Sequence, residues 1–260
     1  MKRIIIVCLL FIIPVLSAGC WQTDQANGIK DAPPPLTEAE IDEIIASATK
    51  SVIVDIDLSQ VSKPDPAQQR ELNERMRFFG ESLKGKVTLE NKKIVVAQVN
   101  GEFVSASDWY LEEIDTIVRA KYGNKDTPSN AEIFNDLIET KVISSTARSL
   151  GIYPPEEQIK AYIADQRKYM EELQLEEIII LIQAWGISEE EYYLLMEDRF
   201  ADSLAKINWG VYLNKYDNEM QDGKQGYIVE SPARIDADKI KPLVEKAKVE
   251  VTSEGRHLGL

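Results

Sequence analysis

The sequence predicts a mainly α-helical protein with small β elements, an α+β fold. Most of its segments repeat apolar side chains every three or four positions, which is the spacing of an amphipathic helix. Stretches that alternate apolar and polar residues, as strands do, are few and short. Helix starts are marked by a Ser or Thr followed three residues later by an acid, the pattern of a capping box. Four such boxes begin at Thr37, Ser105, Ser129 and Ser188.

The first residues have the pattern of a secretory signal peptide. Lys2 and Arg3 precede a run of 13 apolar residues, 4–16. This run is too short for an ordinary transmembrane helix, which needs about 20 residues, and it suits the core of a signal peptide. We therefore expect residues 1–19 to be removed.

The sequence LSAGC that ends this run resembles the lipobox of bacterial lipoproteins, although that family usually has Leu where this chain has Ser17. The resemblance implies cleavage before Cys20, lipidation of its thiol and anchoring to a bacterial membrane. The only other Cys, Cys8, lies in the segment to be removed, so the mature chain has no partner for an internal disulfide. Two or more acyl chains make a lasting anchor. The alternative is an ordinary signal peptide with an incidental Cys.

The chain is strongly acidic. It has 44 Asp and Glu against 30 Lys and Arg, a formal charge of −14 that falls to −16 when Lys2 and Arg3 leave with the signal peptide. Phosphate binding needs clustered Lys and Arg. The charge therefore excludes nucleic acid as a partner and disfavours binding to anionic lipid surfaces.

Two segments precede the main domain. Residues 20–36, mostly polar or small with three consecutive prolines, are predicted to be a tether between the membrane and the folded part. Residues 37–91 are predicted to be a small α/β region, which serves either as a cap on the main domain or as a dimerisation element. Its predicted elements are a helix behind the Thr37 box, a strand over 51–58, a helix over 67–83 weakened by Gly80, and a strand over 86–90.

The main domain, residues 92–253, is predicted to contain a short sheet. A strand over 93–99 leads through the tight-turn signal Asn100-Gly101 to a second strand at 103–104. Such a two-stranded ribbon is only marginally stable alone. Residues 248–252 alternate apolar and polar side chains and are the best candidate for a third strand.

Helices are predicted between the ribbon and this third strand. They are expected at about 105–123, 127–150, 155–170, 175–185, 188–212 and 236–247, with a loop over 216–232. Pro242 weakens the last helix and is a candidate for its first turn. Residues 254–260, which include the chain's one histidine, His257, are predicted to form a loose tail.

Four motifs carry a resemblance to a known family. They are VVAQVNGEFVSASDW (95–109), LIETKVISSTARSLGI (137–152), PPEEQIKAYI (154–163) and WGISEEEY (185–192). Their order is similar to that in the N-terminal helical domain of SurA- and PrsA-type extracytoplasmic chaperones and foldases. Ser105, Asp108 and Trp109 match the capped helix of that family. The resemblance spans about 93–216, and 236–252 resembles the closing helix and strand.

The resemblance implies a helical lobe closed by a short sheet that uses the C-terminal strand, and a chaperone-like affinity for unfolded chains. The sequence departs from the family in two places. Pro154 stands where a Ser, Thr or Asp cap is usual. SurA- and PrsA-type proteins also commonly carry a parvulin prolyl-isomerase domain with active-site histidines, and the gap between Tyr216 and Asp236 is too short to hold one. The resemblance therefore implies binding without prolyl isomerisation.

Aromatic and Met side chains of the helical lobe are the candidate client-binding residues. Adaptable apolar side chains suit a protein that binds many different unfolded segments. The alternative for each of them is that it fills the core. The segment 175–185 is apolar on more than one face, so it lies either at the centre of the lobe or along a groove. The candidates are Trp109, Tyr110, Tyr162, Tyr169, Met170, Trp185, Tyr192, Tyr193, Met196 and Phe200.

No residue pattern predicts an enzyme, a metal site or a cofactor. The sequence has no GxSxG, HExxH, P-loop or Rossmann motif. No partner for metal binding or catalysis lies near His257 in the sequence. Asp55 and Asp57 are interpreted as the solvated face of a strand, and the acids at 189–191 as a helix first turn that the helix dipole favours.

The first functional hypothesis is a membrane-anchored, extracytoplasmic chaperone-like protein. It binds unfolded or newly exported polypeptides through an apolar groove, without prolyl isomerase activity. The second is a structural lipoprotein that docks one dedicated envelope partner, and a third is a residual peptidyl-prolyl isomerase. The oligomeric state is left open.

Overall fold

The computed structural model describes residues 35–52, 65–173, 175–220 and 237–260. The predicted signal peptide, the predicted lipidation site Cys20 and nearly all of the predicted tether lie outside the described residues. Within them, the protein is mainly helical with a small three-stranded antiparallel sheet, which confirms the predicted fold class.

The described elements follow one another as helices interrupted by three short strands. The helices are α1 (Glu38–Val52), α2 (Pro66–Leu83), α3 (Ala106–Tyr122), α4 (Asn130–Ser149), α5 (Glu156–Leu173), α6 (Glu176–Trp185), α7 (Glu189–Met220), α8 (Ala237–Glu245) and α9 (Ser253–His257). The strands are β1 (Val95–Val99), β2 (Glu102–Ser105) and β3 (Val249–Val251), and a 3-10 turn, Asn91–Lys93, precedes β1.

Capping boxes start the helices where the sequence predicts them. At Ser105 the hydroxyl accepts the N–H of Asp108 at 3.1 Å, and the Asp108 carboxylate accepts the N–H of Ser105 at 2.9 Å. The boxes at Thr37, Ser129 and Ser188 form in the same way. Each box satisfies two amides that have no partner inside the helix, so it fixes the residue at which the helix begins.

The sheet has β1 at its centre, with β2 and β3 antiparallel on either side. Asn100 and Gly101 make the turn between β1 and β2 with positive φ angles of 50° and 93°, a backbone conformation that Asn and Gly adopt readily. On the other edge, Val99 pairs with Val249 and Ala97 with Val251. The predicted third strand is therefore confirmed.

Two predicted strands in the N-terminal region are wrong where the structure describes them. Helix α1 continues through Val52, and Ile44 and Ala48, four residues apart on it, are both buried. The remainder of the predicted strand 51–58 lies outside the described residues. At 86–90 there is no strand, since Gly85 turns the chain with φ +74° and the N–H of Val87 bonds back to the carbonyl of Leu83.

Three predictions near the C-terminus are corrected. Helix α7 extends to Met220, so the predicted loop over 216–232 is helical in its first five residues, and its remainder lies outside the described ones. Pro242 lies inside α8 rather than in its first turn. The burial of Ile240, Leu243 and Val244 against neighbouring helices favours the helix despite the lost amide.

The prediction of a loose tail at 254–260 is also wrong. Thr252 caps α9 by accepting the N–H of Gly255. Gly255 is buried so closely on β1 that an added Cβ would lie 2.1 Å from the carbonyl oxygen of Val96. Leu258 and Leu260 pack against the apolar cluster under the sheet. The last residues of the chain therefore pack against strand β1.

The buried apolar residues of the described segments form three clusters. The first cluster lies among α2, α3, α5, α6 and α7, the second between the sheet and helices α3 and α4, and the third among α1, α4, α7 and α8. Helix α2 packs on α6 in the first cluster and α1 packs on α7 in the third. The helices of segment 37–91 thus pack against those of 92–253.

Candidate functional site

The structure places eight of the ten candidate client-binding residues in the interior, each with less than 9% of its surface exposed. Trp109 lies in the second cluster, where its ring meets that of Phe134 edge to face. The other seven, all in the first cluster, are Tyr162, Met170, Trp185, Tyr192, Tyr193, Met196 and Phe200. Tyr110 and Tyr169 are half-buried. In this conformation, most of the candidate client-binding residues therefore fill the core and do not form an open aromatic groove.

The aromatic rings of the first cluster form a connected group on α5, α6 and α7. The Tyr192 ring lies 5.2 Å from that of Tyr193 and 6.3 Å from that of Trp185, both edge to face, and the Tyr162 ring lies 5.6 Å from that of Phe200. Edge-to-face contacts at these distances are favourable beyond simple burial. Trp185 also donates its Nε1–H to the carbonyl of Val87 at 3.1 Å. Helix α6 is therefore central to the lobe, one of the two placements considered for its apolar segment.

A neighbouring cation and burial both affect the tyrosine side chains of the first cluster. The Arg167 guanidinium lies 4.2 Å from the ring centre of Tyr193, and the Tyr193 hydroxyl is buried without a hydrogen-bond partner. Burial raises the pKa of Tyr162 and of Tyr193 to about 12. The phenols are therefore neutral at physiological pH and serve as apolar packing groups.

Exposed apolar side chains occur at other positions, which the sequence analysis did not single out. Phe103 on β2 stands out with 62% of its surface exposed. The alternation of the strand carries the signal, because buried Val104 faces inward and its neighbour must then face outward. Further large apolar residues with more than a third of their surface exposed are Ile94, Ile179, Leu194 and Val249.

A group of ion pairs, here called the ionic seam, joins α3 and α4 to α7. Arg199 of α7 reaches two carboxylates of α3, with 3.2 Å from Nη1 to Glu112 Oε2 and 3.3 Å from Nη2 to Asp115 Oδ2. Arg119 contacts the same two carboxylates at 3.0 and 3.2 Å. The members of the seam are Glu112, Asp115, Arg119, Lys141, Arg199 and Asp202.

The second half of the seam links α4 to α7. Lys141 donates to Asp202 at 2.6 Å, and the Ser144 hydroxyl donates to the other oxygen of Asp202, also at 2.6 Å. The side chains of Lys141 and Asp202 expose only 7% and 11% of their surface. Burial by itself lowers the pKa of Lys141, but the carboxylate of Asp202 more than reverses this and leaves it above its ordinary value.

Burial is the main influence on the pKa of two carboxylates of the seam, Asp115 and Asp202. It raises the pKa of Asp115 despite Arg199 and Arg119, and it raises the pKa of Asp202 despite Lys141. Burial, followed by the charges of Glu112 and Glu139, raises the pKa of Asp136 to about 6. Because Asp136 is exposed, water screens part of its interactions with these charges.

The sequence does not predict the ionic seam, because its only local signal is the spacing of charged residues along α3. Glu112, Asp115 and Arg119 are separated by three and four residues, so they share one face of α3. Acids and bases at that spacing usually lie on a solvated face. Only the placement of Arg199, more than 80 residues further along, makes this face an interior one.

The remaining residues considered as candidate sites are the acids at 55, 57 and 189–191 and His257. Asp55 and Asp57 lie outside the described residues. Glu191 accepts the N–H of Ser188 in the first turn of α7, which lowers its pKa. His257 is exposed at the end of α9. In the described part of the chain, no group of three His, Cys, Asp or Glu side chains is placed to hold a metal ion.

The described helices also include none with the length and apolar character that crossing a membrane requires. Comparisons of the chain with family models, with curated proteins and with solved structures found no match.

Proposed function

We propose that this protein is a membrane-anchored, extracytoplasmic chaperone-like protein that binds unfolded or newly exported polypeptides and has no prolyl isomerase activity. The observation that supports it most is the pairing of β3 with β1. That pairing brings β3 back beside β1, although more than 140 residues separate β3 from the end of β2. It is the arrangement implied by the resemblance to the SurA- and PrsA-type chaperone domain.

The N-terminal sequence supports the proposed location. A positive start, 13 apolar residues and the lipobox-like LSAGC support a lipid anchor at Cys20. The acidic chain keeps the protein soluble beyond its anchor, since like charges on different copies repel one another. Replacing Cys20 by Ser is expected to abolish incorporation of labelled palmitate and release the protein from the membrane fraction.

The interior supports the proposed binding activity through its composition. The first cluster combines six buried aromatic side chains with three Met side chains, which adapt to differently shaped partners. These side chains are buried in the described conformation. Binding through them therefore requires the lobe to open, whereas binding through Phe103 and other exposed residues does not.

The direct test uses the purified full-length protein in mild detergent with a denatured exported protein diluted from guanidinium. At equimolar amounts, we expect light scattering from aggregation to rise more slowly than with an equal mass of albumin. A proline-limited refolding assay is expected to show no acceleration. Unchanged aggregation of several unrelated denatured exported proteins would refute the proposal.

The exposure of Phe103 favours one second candidate, a lipoprotein that docks a single dedicated partner. An aromatic side chain held 62% exposed on a strand is a common anchor of a specific interface. Recovery of one protein in stoichiometric amounts, lost in a Phe103→Ala variant, together with no affinity for unfolded chains, would support this candidate over the first.

A further inference from the structure

We propose that Arg199 is the clasp of a closed client groove between α3 and α7. In the described conformation it holds α3 to α7 through Glu112 and Asp115. Its release opens the apolar interior between these helices to an unfolded polypeptide segment. This inference rests on the proposed function and assigns that function a site.

Long charged side chains bridge α3 and α7. Arg199 bridges both carboxylates of α3 at 3.2 and 3.3 Å. Few backbone positions of α3 and α7 approach each other, whereas α2 packs closely on α6, and α4 on α7. Separating α3 from α7 therefore disrupts less close packing than separating either of those pairs.

The first apolar cluster lies directly behind the clasp. Leu111 and Ile114 flank the two carboxylates on α3, and Met196 and Phe200 flank Arg199 on α7. All four are buried. Movement of α3 away from α7 would expose these side chains first, and with them the neighbouring candidate client-binding residues of α7.

The seam also has polar atoms that opening would hydrate. In the seam, Asp115 Oδ1 and Arg119 Nε are buried without a hydrogen-bond partner, and so is Nε of Arg75 on α2. A buried polar atom without a partner keeps the full penalty of its lost hydration. Water reaching these atoms in an open lobe therefore offsets part of the free energy lost by exposing apolar surface.

The occupant we infer is an unfolded segment with an apolar centre and Lys or Arg at its ends. Its centre matches the exposed cluster. Once Arg199 has moved away, the α3 wall presents the carboxylates of Glu112 and Asp115 against the single charge of Arg119. The formal charge of the chain, −14, also attracts basic segments at longer range.

The test uses the full-length chain carrying Cys8→Ser and Cys20→Ser, with Cys introduced as Glu112→Cys and Arg199→Cys. The probe is a fluorescent peptide with a Leu- and Phe-rich centre and Lys ends, followed by anisotropy. Without a cross-linker, the double-cysteine variant lacks the Arg199 clasp. We expect it to bind the probe more tightly than the same chain with Glu112 and Arg199 intact. Joining the two thiols with a short bismaleimide closes the groove and is expected to weaken binding at least about tenfold.

The matched control joins α1 to α7 at an exposed ion pair away from the groove, with Glu43→Cys and Lys215→Cys. Cross-linking there is expected to leave probe binding unchanged. Circular dichroism before and after each reaction verifies the helix content. Should the cysteine pair fold poorly, Arg199→Gln alone is expected to bind the probe more tightly than the parent chain.

The outcomes separate this inference from the proposed function. Binding that is equal with and without the α3–α7 cross-link overturns the clasp and leaves client binding to another surface. Probe binding by none of the proteins, the parent chain included, overturns the clasp and the proposed function together. A probe with Glu ends that binds as well as the Lys-ended one overturns the basic occupant.

Discussion

At Gly80 the helices α2 and α6 come so close that a side chain has no room. An added Cβ would lie 2.5 Å from the carbonyl oxygen of Leu181 and 2.9 Å from the amide nitrogen of Trp185. Both are backbone atoms, so they cannot move aside as a flexible side chain does. Gly80 weakens the helix prediction for this segment. In the structure, the absence of a side chain at Gly80 is therefore what allows α6 to pack closely against α2.

The first prediction concerns this position. Helix propensity alone favours Ala over Gly by about 1 kcal/mol. We nevertheless expect Gly80→Ala to lower the free energy of unfolding by about 1–3 kcal/mol, because overpacking is the larger effect. Urea denaturation measures it, with exposed Glu81→Ala as the control. A stabilised Gly80→Ala variant would show that the close approach is absent.

Between elements, the buried pair Lys141–Asp202 fixes α4 against α7. The second prediction is that Lys141→Met lowers the free energy of unfolding by about 3–5 kcal/mol, because it leaves a buried carboxylate without its counter-charge. The double variant Lys141→Met with Asp202→Leu is expected to recover most of the loss. A double-mutant cycle by chemical denaturation measures the coupling. Additive effects of the two substitutions would mean that the charges do not act as a pair.

The closing of the sheet is a second feature at this scale. Gly255 lies against the Val96 carbonyl, and the Thr252 N–H donates to that same oxygen. The third prediction is that Gly255→Ala displaces α9 and β3 together. Hydrogen exchange is then expected to speed up at the amides of Thr252 and Asn100, the latter bonded to Lys248.

Ser253→Ala is the matched control, since Ser253 is exposed and its hydroxyl bonds only to the adjacent Glu254 side chain. Its exchange rates are expected to equal those of the parent chain. Unchanged exchange in Gly255→Ala would contradict the packing of α9 on β1.

Across the whole molecule, two sets of carboxylates respond to pH in opposite directions. Burial raises the pKa of Asp115 and Asp202, so the folded state takes up these protons at a higher pH than the unfolded chain does. Their contribution to stability therefore grows as the pH falls. The acids of the capping boxes, Glu40, Glu132 and Glu191, have lowered pKa values because they accept hydrogen bonds from the cap residues. Their contribution is present above the ordinary Glu pKa and is lost as the pH falls through the folded value.

The fourth prediction follows from these signs. The free energy of unfolding is expected to be higher at about pH 5.5 than at about pH 8, because the folded-state pKa of Asp136 is raised to about 6, and to fall again below about pH 4. Urea denaturation across this range measures it. The variant Asp136→Asn is expected to lose much of the rise between pH 8 and pH 5.5. A steady increase in stability from pH 5.5 to pH 8 would contradict the assignment.

Local signals in the sequence determine how much of the fold is predictable. Capping boxes, the Asn100-Gly101 turn and helical repeats act within a few residues, so the helix starts and the ribbon are readable directly. The partner strand 248–252 was found because a two-stranded ribbon is insufficient. The tail beyond it was missed, because the contact of Gly255 with Val96 joins residues far apart in the chain.

The candidate site was less predictable for a related reason. An aromatic or Met residue at helical spacing is equally consistent with the core and with a groove, and only packing separates the two. The sequence pattern around Trp185 and Tyr192 would be the same whether these side chains were buried in the core or lined a groove. The seam likewise needed Arg199 to be brought against Glu112, which spacing within α3 does not reveal.

The central claim is that unfolded chains bind in the interior between α3 and α7. The most direct measurement is hydrogen exchange of the purified protein, with and without a saturating unfolded polypeptide. We predict changed exchange in α3 over residues 109–118 and in α7 over 192–204. Changes confined to the sheet around Phe103, with α3 and α7 unaffected, would contradict the claim.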